Sequence, residues 1–227
     1  MESRVRDLRQ QLFEFDKHQN LSKNDFFVSN SNFYSYSLIN TWPKWEKKML
    51  NLCGEKKSGK THLVEIFLQT RGGLKSSANT LDKDFISKIG DYQNIILEDL
   101  NNGFDEKLLY ALFDYIEKQN KFLIITSEKP INLKKINLPD LKSRVKNCLV
   151  AEINSPDDNL VSALLVKYLS DFQIILDKRL VEFISKRIPR SYYEIAKFIC
   201  TIDQISLKKK KPINLNIIKE ILGEKIE

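Results

Sequence analysis

Residues 50–62 read Leu-Asn-Leu-Cys-Gly-Glu-Lys-Lys-Ser-Gly-Lys-Thr-His. From Gly54 to Thr61 they fit the phosphate-binding spacing G-x-x-x-x-G-K-[ST]. Gly54 and Gly59 permit backbone bends that are costly for a residue with a Cβ. The N–H groups of such a loop, and of the helix behind it, form a positive concavity. Lys60 is placed to reach β- and γ-phosphates, and the Thr61 hydroxyl to ligate Mg2+. The flanks agree with the motif. Met49 to Cys53 reads as a short buried strand, and Leu63, Val64, Phe67 and Leu68 recur at helical spacing behind the loop. A lysine-rich surface loop that matched by chance would lack this strand–loop–helix setting.

The 227 residues suffice for one α/β domain and a smaller companion. A hydrophobic fraction of 42% supplies a core and excludes global disorder. Net charge is +7 and the pI about 9.1, which permits weak contact with nucleic acid or another acidic partner, although lysine is spread along the whole chain. Cys53, Cys148 and Cys200 have no metal-like spacing, and so sparse and odd a set suits a reducing compartment. No apolar run approaches membrane-spanning length and the first residues lack a signal-peptide core. A cytoplasmic protein with no membrane partner is therefore expected.

Residues 1–25 are polar apart from Leu12-Phe13-Glu14-Phe15. Gln10, Phe13 and Phe15 form a candidate linear motif, an amide followed by apolar anchors that dock in a partner's groove. Packing of this segment on its own domain is the other reading. Ser31 or Asn32 is expected to cap a helix carrying Tyr34, Tyr36, Leu38 and Ile39, which Trp42-Pro43 ends. The Tyr and Trp residues of this stretch either wall an adenine pocket or belong to the core.

Asn94 to Asp99 is an apolar run ending in two acids. A buried parallel strand presents its last side chains where ligands sit in open α/β sheets. Glu98 and Asp99 thus stand where a phosphate-loop NTPase needs a metal-side and a water-orienting carboxylate; solvated acids at a strand end are the alternative. Between the loop helix and this run, residues 71–92 hold one short strand and helix. Leu108, Leu109, Leu112, Tyr115 and Ile116 give a helix capped by Asp105. Phe122 to Ser127 is a strand whose terminal hydroxyls either sense a phosphate or cap the next turn. A short helix starts at Pro139, and Cys148 to Ile153 is a last strand. Strands alternating with helices imply α/β architecture, a parallel sheet covered on both faces.

After Pro156 strand signals become scarce. Asp157 or Asp158 caps a helix with Leu160, Leu164, Leu165 and Tyr168, and three more amphipathic helices follow. The expected division is an arm at 1–25, a nucleotide-binding α/β domain at 26–155 and a small all-α lid at 156–227. Lys208 to Lys211 reads as a solvated turn between the last two helices. Glu55, inside the loop, is expected to repel phosphate, with Lys56 and Lys57 offsetting it. Arg190 is the lid cation expected to reach back to a nucleotide.

A three-layer phosphate-loop domain followed by a helical lid resembles the AAA+ ATPases. The finer string resembles the Hda branch of the DnaA-related AAA+ family, regulators of bacterial replication initiation. The residues that carry this likeness are Asp25-Phe26-Phe27-Val28-Ser29, Trp42-Pro43, Gly59-Lys60-Thr61-His62-Leu63, Leu97-Glu98-Asp99-Leu100, Leu141-Lys142-Ser143-Arg144, Pro156-Asp157-Asp158 and Arg190-Ser191-Tyr192. The resemblance implies that ADP or ATP is held by Gly54, Ser58, Gly59, Lys60, Thr61 and His62, with Arg190 in the sensor II position. It implies Mg2+ at Thr61 and Glu98, and Asp99 orienting water. Arg144 falls in the box that carries the family's arginine finger, which acts in trans on ATP bound to DnaA. Gln10, Phe13 and Phe15 sit where relatives bind the sliding clamp, the beta subunit of DNA polymerase III.

The function so implied is negative regulation of initiation: recruitment to the clamp, then stimulated hydrolysis of DnaA-bound ATP, with weak intrinsic turnover. A finger supplied in trans is worth on the order of 10³–10⁵ in rate. DnaA carries a further helix-turn-helix domain that reads its DNA boxes; none is expected here, which favours a regulator over an origin-binding initiator. A loader ATPase for another replication protein, a clamp-tethered adaptor, and a tether working through basic charge are the competing readings. Weak direct DNA contact and homo-oligomerisation stay open.

Overall fold

The apolar run ahead of the glycine loop forms strand β1, Met49–Gly54, buried along its whole length. The computed structural model describes residues 25–101, 103–209 and 213–223; Gln10, Phe13 and Phe15 lie outside them. Helix α1, Phe33–Thr41, precedes β1 and α2, Lys60–Arg71, follows it. Then come β2 Leu74–Ser77, α3 Lys83–Lys88, β3 Asn94–Glu98, α4 Glu106–Lys118, β4 Phe122–Ser127, α5 Pro139–Val145 and β5 Leu149–Ile153. The five strands form one parallel sheet of order β2-β3-β4-β1-β5. Parallel strands covered on both faces need apolar residues at successive positions rather than at alternate ones. Ile95, Leu97, Leu123 and Ile125 therefore pack with Leu109, Leu112 and Phe113 of α4 and Leu141 of α5. Their strand neighbours Ile96 and Ile124 point the other way and join Leu50 and Leu52 of β1, Ile39 of α1 and Phe67 of α2. Each such side chain contributes about 1.5–3 kcal/mol on full burial.

Carboxylates start the helices as expected. Asp105 accepts from the Lys107 and Leu108 N–H groups at 2.8 and 3.1 Å, and Asp157 accepts from Leu160 N–H at 2.9 Å. Asn32 holds the cap position of α1 but makes no side-chain cap bond. Its Oδ1 accepts from Ser29 N–H and its Nδ2 donates to the Phe27 carbonyl, so the side chain is committed to the preceding loop. The tryptophans belong to the core. Trp42 and Trp45 pack on Phe67 and on Phe122, the first residue of β4, at the amino ends of the strands and away from the glycine loop.

Beyond Ile153 the described residues hold helices only: α6 Asp158–Asp171, α7 Lys178–Ser185, α8 Tyr192–Lys209 and α9 Leu215–Leu222. They share a core of their own, including Val161, Leu165, Ile184, Ile195, Ile199 and Ile218. Leu160 and Tyr192 instead join the sheet-side cluster and seat this helical layer on the α/β domain. Lys208 and Lys209 are the last residues of α8 rather than part of a turn, because its helical hydrogen bonding continues through them; Lys210 and Lys211 lie outside the described residues. Among the described residues no helix is long and apolar enough to cross a membrane.

Candidate functional site

β1 delivers Gly54 to the carboxyl edge of the sheet with φ +155°, and a Cβ there would lie 2.9 Å from both the Ile153 carbonyl oxygen and Ser58 Oγ. Gly59, with φ +96°, is the left-handed residue that opens α2, and a Cβ on it would meet the Phe26 ring at 3.2 Å. Both glycines are thus required by conformation and by space. Gly59 has no side chain to cap α2, and no acidic residue occupies the helix's first turn. The positive end of the helix, with Lys60, Thr61 and His62 in it, is left to whatever anion enters the loop.

Lys60 is 8% exposed. Its ammonium donates to the carbonyls of Gly54 and Glu55, at 2.9 and 2.8 Å. Burial holds its pKa below the ordinary lysine value, and the charge of Asp99 works against that shift. Cys53, just before the loop, has its thiol pushed up to about 12 by burial, so it is a neutral wall.

Glu98 ends β3, and its Oε2 lies 3.4 Å from the ammonium of Lys75 on the neighbouring strand, which also bonds Glu65. Among the described residues, Glu98 Oε1 is buried without a hydrogen-bond partner, as is Ser58 Oγ in the loop. Asp99 is exposed and left-handed, φ +59°, with its N–H bonded to Thr126 Oγ1 at 2.9 Å. Ser127 donates to the Lys129 carbonyl and accepts from Asn51. Both hydroxyls at the end of β4 are thus engaged inside the protein, Thr126 as an acceptor, and Ser127 fixes the turn after the strand.

A cleft of about 320 Å3 opens between the loop and the helical layer, lined by Phe26, Gly59, His62, Leu164, Tyr168 and Tyr192 among others. Phe26 stacks on Tyr36 at 5.7 Å and meets the His62 ring edge-on at 5.2 Å. The Tyr192 hydroxyl donates to the Asn154 carbonyl, and burial pushes its pKa up to about 12. Lys167 of α6 donates to the Asp25 carbonyl at 3.0 Å and fastens the other rim.

Gly54, Ser58, Gly59, Lys60, Thr61 and His62 are brought together on one loop and helix start. Glu98 and Asp99 share the same carboxyl edge of the sheet. Arg190 is ion-paired with Asp158 at the head of α6. Arg144 is apart from this group: it pairs with Asp114 and Glu117 of α4 and lies 5.0 Å over the Tyr110 ring. Expectation and structure differ at Glu55. Its carboxylate turns from the loop to the start of α8, where it accepts from the Ser191 hydroxyl and the Tyr192 and Tyr193 N–H groups. Sequence reasoning also missed Lys75 beside Glu98 and Phe26 over Gly59, since neither contact leaves a local periodic signal. The glycine-walled loop, the buried Lys60 and the buried Ser58 hydroxyl fit a nucleotide's phosphates. Thr61 and Glu98 are the groups that could hold a divalent cation beside them.

Solved structures with a similar fold include domain III of the replication initiation protein DnaA from Thermotoga maritima. It superposes with a TM-score of 0.71 at 17% identity, over 91% of this chain and 97% of that one. The chain carries a DnaA-like AAA+ fold. AMPPCP-bound DnaA from Aquifex aeolicus matches with a TM-score of 0.63 at 17% identity, over 82% of this chain and 68% of that one. In sequence, the chain is 24% identical over 227 residues to the chromosomal replication initiator protein DnaA of Buchnera aphidicola subsp. Cinara cedri, covering 88% of this chain and 52% of DnaA. It is also 24% identical over 214 residues to an uncharacterised protein of Haemophilus influenzae, covering 88% of this chain and 92% of that protein. The chain spans about half the length of the DnaA relatives it matches. No family model matches it.

Proposed function

We propose that this AAA+ chain binds ADP or ATP with Mg2+ and regulates replication initiation by stimulating hydrolysis of DnaA-bound ATP. The nucleotide part rests on one observation: a loop walled by two obligatory glycines around a buried lysine whose ammonium donates to carbonyls of the loop itself. Phosphate oxygens would take over that ammonium and the open start of α2. Thr61 and Glu98 would hold the metal, which supplies charge neutralisation between the phosphates. Asp99 would orient water, and Arg190 would reach in from the lid, residues 156–227, over the domain at 26–155. The likeness to an AMPPCP-bound DnaA supports this reading of the pocket.

The regulatory part rests on the Hda-like motifs. Gln10, Phe13 and Phe15, in the arm at 1–25, would seat the chain on the polymerase III sliding clamp in the cytoplasm. Arg144 would exchange Asp114 and Glu117 for the γ-phosphoryl group of a neighbouring DnaA. A rate gain of 10³–10⁵ corresponds to about 4–7 kcal/mol of barrier, the scale of one well-placed cation. The test is hydrolysis of DnaA-bound ATP with and without clamp loaded on DNA, using wild type, Arg144→Ala and Gln10→Ala/Phe13→Ala. Clamp-dependent stimulation lost in both variants is expected. No stimulation by a wild type that binds the clamp would overturn the arginine-finger role.

A further inference from the structure

Glu55 is separated from Ser191 by 136 residues, yet its carboxylate ties the loop directly to the start of α8. Both oxygens are used. Oε2 accepts from Tyr192 N–H at 3.0 Å, and Oε1 accepts from the Ser191 hydroxyl and from Tyr193 N–H, the latter at 3.4 Å. A carboxylate at a helix N-terminus meets both unpaired N–H groups and the positive end of the dipole. The Glu55 backbone carbonyl meanwhile accepts from Lys60. One residue therefore joins the phosphate-binding lysine to the first turn of α8, whose Tyr192 lines the cleft.

We infer that Glu55 is a positioning residue that keeps the lid docked on the phosphate loop before any nucleotide arrives. Its negative charge is spent on α8 rather than turned on the phosphates. Removing it leaves the nucleotide to order the lid, so binding then carries an ordering cost that the wild type has already met. The inference rests on the nucleotide reading above for its ADP arm, and on the geometry alone for its nucleotide-free arm.

Hydrogen exchange of the full chain, followed by mass spectrometry over residues 190–197, tests it in wild type, Glu55→Ala and Glu55→Gln. Without nucleotide the wild-type segment should be protected, and ADP should change it little. In Glu55→Ala the segment should exchange roughly ten-fold faster, as charge-assisted bonds are lost, and ADP should restore protection. The ADP dissociation constant should rise roughly ten-fold in the same variant. Glu55→Gln, which keeps an acceptor but not the charge, should fall between. Exchange over β3 and β4 reports that each variant is folded. Nucleotide-free protection equal to wild type in Glu55→Ala would overturn the inference. A wild type that binds no ADP would instead sink the nucleotide reading, while the nucleotide-free comparison still decides the role of Glu55.

Discussion

Asn51 sits in the middle of β1 with no exposure at all. Its Nδ2 donates to the Ile125 carbonyl at 3.2 Å and to Ser127 Oγ at 2.9 Å, and its Oδ1 accepts from Ile131 N–H at 2.8 Å. Through these bonds the strand that carries the phosphate loop is fixed to the end of β4 and to the turn beyond it. Asn51→Leu keeps the volume and removes the polarity. Ile131 N–H, itself fully buried, then has no acceptor, which costs about 1–3 kcal/mol. Ser127 Oγ loses a donor but still donates to the Lys129 carbonyl. The lost bonds to the Ile125 carbonyl and Ser127 Oγ add about 0.5–1.5 kcal/mol each, and the added apolar burial offsets part of the total, leaving a net destabilisation of about 2–3 kcal/mol. At roughly 2–4 °C per kcal/mol for a chain of this size, Tm should fall by about 4–12 °C. Asn51→Asp should be worse, since it buries a charge and removes both donors. Urea unfolding measures the difference, with an unchanged m value showing that stability and not compactness has moved. An Asn51→Leu variant within about 0.5 kcal/mol of wild type, the range of an ordinary surface change, would refute the reasoning.

Two further predictions concern carboxylates. Lys75→Met keeps the side-chain stem but leaves Glu98 with no ammonium to answer it, so a divalent cation should be held more tightly. Titrating ADP across a range of Mg2+ should show half-maximal enhancement at several-fold lower Mg2+, and an unmoved curve would contradict a metal-side Glu98 (each kilocalorie per mole corresponds to about five-fold). Glu106 accepts from the Asn137 and Leu138 N–H groups, and these bonds hold its pKa below the ordinary 4.5 of a glutamate. A carboxyl depressed in the folded state adds stability above its unfolded pKa and loses it as pH falls through the folded value. The stability gap between wild type and Glu106→Gln should therefore be constant near neutrality and close below about pH 4.5; a gap that widens on acidification would reverse the assignment.

Much of this fold is legible in local sequence, for a physical reason. Strands buried on both faces appear as unbroken apolar runs, and Asp105 and Asp157 announce helix starts because a carboxylate three residues before an apolar stripe has N–H groups to accept from. The glycine loop is legible because glycine alone suits the φ values and clearances at positions 54 and 59. What local reading misses is set by distant partners. Nothing near Asn32 shows that its side chain will turn back to Ser29 and Phe27. Nothing near Trp42 shows that it will meet Phe122; the order β2-β3-β4-β1-β5, which sets β4 beside β1, decides that, and order is a property of crossovers rather than of any one run. Glu55 is the clearest case, because its partner lies on the other side of the cleft.

The acids around the loop show how that matters for charge. By composition, Glu55, Glu98 and Glu128 make a poor setting for a polyanion. Each is answered in the fold: Glu55 by the start of α8, Glu98 by Lys75, and Glu128 by Lys56 at 3.6 Å. The Glu128 pair is solvent-exposed and worth little on its own. What the loop offers an anion is the positive end of α2 and the buried ammonium of Lys60. That ammonium is desolvated, so its field is less screened than a surface lysine's. An incoming phosphate would displace the Gly54 and Glu55 carbonyls from Lys60, neutral acceptors that a charged oxygen outcompetes. Local polarity at this site is thus decided less by which charges the loop contains than by which of them the rest of the chain has already engaged.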